Sequence, residues 1–148
     1  MRAAVAYDDM SLQIILRLEY GGKIGSAKLV ARQLLRHLPD DRGEILVVPV
    51  PIHWTRLWSR SFNQSALIAQ ELAHLGEMRY SVDLLLRTRR TPNMRGLSAK
   101  QRRQTVAKAF AINPARLDLA RDARINLIDD VLTTGATSDG CTKALKKI

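Results

Sequence analysis

The stretch Arg124-Ile125-Asn126-Leu127-Ile128-Asp129-Asp130-Val131-Leu132-Thr133-Thr134-Gly135-Ala136-Thr137 decides how this chain is read. Its apolar residues end on two adjacent carboxylates, and a small, hydroxyl-rich turn then feeds a helix. A turn of that kind directs several backbone N–H groups at one anion, with the positive end of the helix dipole behind them. Asp129 and Asp130 stand beside it as acceptors for vicinal hydroxyls. A ligand with a phosphate at one end and a diol close by suits this arrangement, and ribose 5-phosphate is such a ligand. An ordinary buried strand with a capped helix after it accounts for Ile125, Leu127 and Ile128. It gives no reason for Asp129 beside Asp130.

Upstream, Leu12, Ile15 and Leu16 recur at helical spacing from about Met10 to Leu18, before the stop signal Tyr20-Gly21-Gly22. A second helix is expected from about Ser26 to Leu38, with Ala27, Ala31, Leu34, Leu35 and Leu38 on one face. Glu44 to Pro49 is a short apolar run bounded by turn residues, which predicts a buried strand. The loop after Pro51 carries Trp54, Arg56, Trp58 and Arg60. Ser61-Phe62-Asn63-Gln64 has the spacing of a capping box, and the helix it opens shows Ile68, Leu72 and Leu75 on one face before Gly76. Val82 to Leu86 reads as a strand, Ala109 to Ile112 as another, and Pro114 to Asp122 as a connector. Between them lies a basic segment with Arg87, Arg89, Arg90, Arg95, Lys100, Arg102, Arg103 and Lys108. Strands alternating with helices predict one α/β domain over residues 1–148, with a Rossmann-like, mostly parallel sheet flanked by helices. In such sheets ligands bind at the carboxyl ends of the strands, where Asp129, Asp130 and Pro49-Val50-Pro51 fall.

Composition narrows the partners without choosing one. No apolar run is long enough to span a bilayer, and the apolar stretch near Met1 is too short for a signal peptide, so the cytoplasm is the expected compartment. Cys141 is the sole cysteine, which excludes an intrachain disulfide and a cysteine-rich zinc site. His37, His53 and His74 are too scattered for metal-ligand spacing. A net charge of +10 attracts polyanions, nucleic acid and phosphorylated substrates alike. At 5% of residues the aromatics are too few, and too separate from the basic residues, for a base-stacking platform.

The segment Asp129-Asp130 with Thr133-Thr134-Gly135-Ala136-Thr137 resembles the 5-phosphoribosyl-1-diphosphate (PRPP) signature of type I phosphoribosyltransferases. Three further segments resemble the ComF-like branch of that family, named for a role in DNA uptake during competence. They are Leu16-Arg17-Leu18-Glu19-Tyr20-Gly21-Gly22-Lys23, then Val48-Pro49-Val50-Pro51 through Arg56, Arg60, Phe62, Asn63 and Gln64, and, more loosely, Leu86-Arg87 with Leu97, Arg102 or Arg103, and Ala109-Phe110. The chain departs from the pattern at Ser61, where the family has glycine, at Glu19, and at Thr91-Pro92-Asn93-Met94, which lacks the family's glutamine. The four-cysteine zinc ribbon with which relatives commonly begin is absent. The resemblance also implies at least one more strand beyond Ile148, so a fold truncated at its C-terminus is expected.

The resemblance implies transfer of a phosphoribosyl group with release of diphosphate. Asp129 and Asp130 would bind the ribose hydroxyls and favour positive charge on the ring, as the catalytic pair. Thr133, Thr134, Gly135, Ala136 and Thr137 would hold the 5-phosphate. Lys23, Arg56, Arg60 and Arg87 are candidates for the diphosphate. Mg2+ is expected to arrive through substrate phosphates, without a protein cage. The implied partners are PRPP, an acceptor the sequence does not name, competence machinery or single-stranded DNA, and a second copy of the chain in a homodimer. Enzyme, non-catalytic PRPP or nucleotide sensor, and DNA-uptake adaptor all remain open at this stage.

Overall fold

A computed structural model describes residues 23–52, 62–89, 98, 101, 105, 109–130 and 135–148, with the backbone alone at 23–25. The expected helix from Met10 to Leu18, the loop carrying Arg56 and Arg60, and most of the basic segment lie outside these residues. The described elements run α1 (Lys23–Leu35), β1 (Ile45–Pro49), α2 (Gln64–Leu75), β2 (Arg79–Tyr80), β3 (Leu85–Arg87) and β4 (Phe110–Ile112). A 3-10 turn (Pro114–Arg116) and the short α3 (Leu117–Ala120) then lead into β5 (Arg124–Ile128) and α4 (Ala136–Leu145).

A parallel sheet of order β2-β1-β5 forms the centre. All five residues of β1 are buried, which is why its sequence is an unbroken apolar run rather than an alternating one. Its side chains still alternate between faces. Ile45 and Val47 join Ala27, Ala31, Ile68, Ala69 and Leu72 on the side covered by α1 and α2. Leu46, Val48 and Val50 join Leu84, Leu85, Cys141 and Ala144 on the other. Residue periodicity of two thus builds two cores on one strand.

Three sequence expectations are corrected. The strand expected at Val82 to Leu86 is Leu85–Arg87, and Val82 is exposed, because the chain bends at 82–84 before pairing. That strand pairs antiparallel with β4, Leu85 opposite Ile112 and Arg87 opposite Phe110, as a separate two-stranded sheet. The segment Pro114 to Asp122, expected as a plain connector, contains the 3-10 turn and α3, with Asn113 capping the turn through its side chain. Helix α2 begins at Gln64 with Asn63 as N-cap and no side-chain capping bond, so a capping box with Gln64 at its third position does not open it.

Candidate functional site

The β1–β5 pairing runs in register from Ile45 opposite Arg124 to Pro49 opposite Ile128. It extends one step further through the Val50 N–H, which donates to the Ile128 carbonyl at 2.8 Å. Asp129 and Asp130 therefore leave the sheet at the carboxyl end of its central pair, where open α/β sheets take ligands. The start of α2 closes this end from the side. The Asn63 amide donates to the Val50 carbonyl at 3.1 Å, and Ser65, buried in the first turn, meets Asp130. Asn63 and Ser65 were not singled out as site residues by sequence reading.

The Asp130 N–H lies 3.1 Å from Asp129 Oδ1 and 3.2 Å from Ser65 Oγ. The Ser65 hydroxyl in turn donates to Asp130 Oδ1 at 3.4 Å. Burial pushes the Asp129 carboxyl up to about 7, and the neighbouring Asp130 charge and a carboxyl–carboxyl hydrogen bond push the same way. The Asp130 N–H and the Ser138 hydroxyl, both donating to the carboxylate, oppose the shift. Asp129 therefore retains a proton near neutral pH.

Gly135 sits at φ +71° immediately before α4. The first bond of that helix runs from the Asp139 N–H to the Gly135 carbonyl at 2.8 Å. The N–H groups of Ala136, Thr137 and Ser138 therefore precede the helical ladder, as donors a helix start leaves for other partners. Ala136 is buried and Thr137 half-buried. Ser138, the third residue of the helix, turns back to Asp129, so the first turn of α4 is bonded to the carboxylate pair.

The structure thus brings together Asp129, Asp130, Gly135, Ala136 and Thr137, while Thr133 and Thr134 lie outside the described residues. Arg87 ends β3 with its guanidinium carbon 5.5 Å from the centre of the Phe110 ring, a cation–π arrangement across the antiparallel pair. Its charge reaches Cys141, whose thiol is pushed up to about 12 by burial and by Asp129, with Arg87 acting the other way. Cys141 is a fully buried packing residue with an inert thiol. Lys23 is the first residue of α1, its side chain outside the described residues, as are Arg56 and Arg60. Among the described residues no group of three or more His, Cys, Asp or Glu side chains could hold a metal, and no helix is long and apolar enough to cross a membrane.

No protein-family model and no solved structure matches the chain. Curated proteins do. Competence protein F of Haemophilus influenzae is 35% identical over 102 residues, which cover 69% of this chain and 44% of that protein. The DNA utilization protein YhgH of Escherichia coli strain K12 is 37% identical over 92 residues, covering 62% of this chain and 38% of that protein. The chain belongs to the ComF-like family. YhgH of Salmonella typhi gives the same figures of 37% over 92 residues. The ComF-like chain matches less than half the length of these relatives, at 44% and 38%.

Proposed function

We propose that this ComF-like chain forms the PRPP-binding part of a protein linked to competence and DNA uptake, which transfers a phosphoribosyl group and releases diphosphate. The observation that carries the reading is the Asp129–Asp130 pair at the end of β5 with the left-handed Gly135 and the start of α4 beyond it. The pair would accept the ribose 2- and 3-hydroxyls, and the segment from Thr133 to Thr137 would bind the 5-phosphate through N–H groups and hydroxyls. In the transfer, the bond from the anomeric carbon to diphosphate breaks and one to the acceptor forms, and the acceptor loses a proton. Positive charge grows on the ring between those events, and the half-buried carboxylate pair would stabilise it. Lys23, Arg56, Arg60 and Arg87 would meet the departing diphosphate.

Magnesium would come with the substrate, because Mg2+ keeps most of its shell for water and substrate phosphates and needs no protein cage. Bound with the diphosphate, it would neutralise charge on the leaving group.

Calorimetry with PRPP, with and without Mg2+, tests the reading. Wild-type protein should bind, and Asp129→Asn and Asp130→Asn should each weaken binding about tenfold or more, as loss of an acceptor facing a hydroxyl does. No heat at millimolar PRPP would remove both the transferase and the sensor. Binding without diphosphate release, across candidate acceptors, would leave a sensing module. A second reading, a DNA-uptake adaptor, draws on the +10 net charge and on the relatives' names.

A further inference from the structure

Ser65 is 2% exposed and lies in the first turn of α2, where a serine ordinarily serves its own helix or faces solvent. Here it does neither. Its hydroxyl accepts from the Asp130 N–H at 3.2 Å and donates to Asp130 Oδ1 at 3.4 Å, so one oxygen grips both the main chain and the side chain of that residue. Asn63, two residues earlier, is tied to the Val50 carbonyl, and the Val50 N–H to the Ile128 carbonyl. The start of α2, the end of β1 and the end of β5 therefore close a ring of hydrogen bonds around the carboxylate pair. Within this ring the Asn63 Oδ1 is buried and accepts no hydrogen bond from the described residues, so tying Asn63 to the end of β1 turns that oxygen away from its own helix.

We infer that Ser65 is a positioning residue that orients the Asp130 carboxylate toward the bound ribose, making the first turn of α2 part of the ligand-recognition machinery. The inference rests on the PRPP reading above. A serine that merely filled space would contribute to stability alone. A serine acting through Asp130 must instead lose its effect on binding once Asp130 can no longer carry its charge.

A double-mutant cycle distinguishes the two. PRPP binding is measured by calorimetry for wild type, Ser65→Ala, Asp130→Asn and the double variant, after circular dichroism shows equal helix content. Ser65→Ala should bind about tenfold more weakly, the scale of a hydrogen bond to a charged group. Ser65→Thr, which keeps the hydroxyl, should recover most of that loss. Ser65→Cys, close in volume but a weak donor, should fall with Ser65→Ala and serves if the alanine variant does not fold. The double variant should lie within about twofold of Asp130→Asn alone. Losses that multiply, or a Ser65→Ala within about twofold of wild type, would overturn the role of Ser65 and leave the PRPP reading standing. Absence of PRPP binding by wild type would instead bring down the parent reading, and this one with it.

Discussion

At the scale of single residues, Asp129 sets stability against function. Its carboxyl is pushed up to about 7, whereas in an unfolded chain it titrates at about 3.9. Between those values the folded protein holds a proton that the unfolded chain has released, so stability falls as pH rises through that window. Asp129→Asn removes the titration while keeping an oxygen that accepts from the Asp130 N–H and from Ser138. The variant should therefore be more stable than wild type at pH 8 by up to about 4 kcal/mol, at ~1.4 kcal/mol for each pH unit between the two values, and nearly equal to it at pH 4, while binding PRPP more weakly. Urea unfolding at the two pH values checks this. A wild-type excess at pH 8 would mean the carboxylate is better solvated than its burial implies. The adjacency of Asp129 and Asp130 was legible in the sequence because nothing in strand formation requires it. Ser65 was not, since its bonds to Asp130 span 65 positions and no local pattern encodes them.

At the scale of elements, local signals succeeded where the backbone itself imposed the choice. Gly135 adopts φ +71°, and a β-carbon there would meet nothing within 4 Å, so glycine answers to conformation rather than to space. Gly135→Ala should consequently cost about 1 to 2 kcal/mol, and Gly135→Asn less, because asparagine tolerates the left-handed region. Denaturant midpoints in the order Gly, Asn, Ala would agree, whereas an alanine variant as stable as wild type would sink the argument. Short motifs were less dependable. The Ser-x-x-Gln spacing occurs twice, and the reciprocal bonds of a capping box form at Ser98 and Gln101, at 2.9 and 3.3 Å, while α2 starts only at Gln64. At α2 the Asn63 side chain is committed to β1, and that tertiary bond outranks the local cap. Strand β2 escaped notice because Arg79-Tyr80 has no apolar run; its pairing with Leu46 and Val47 makes it a strand.

At the scale of the whole molecule, the run Ile45 to Val48 announced a strand buried on both faces, and the two cores it joins follow from that. Charge is also a property of this scale, and no motif distributes it. At a net +10 the chain should bind single-stranded DNA through phosphates, and the affinity should fall at least tenfold between about 50 and 200 mM salt, since several counterions are released on binding. Asp129→Asn and Asp130→Asn each remove a negative charge, so on a surface separate from the carboxylate pair they should leave DNA affinity unchanged or slightly raised. Fluorescence anisotropy of a labelled oligonucleotide across a salt series, run on the same variants used for PRPP, measures both. If the aspartate changes weaken DNA binding as much as they weaken PRPP binding, the polyanion and the sugar phosphate share one site, and the adaptor reading loses its independent surface. If DNA binding persists while PRPP binding is lost, one basic domain serves two anions by different means, carboxylates for a diol and diffuse charge for a backbone.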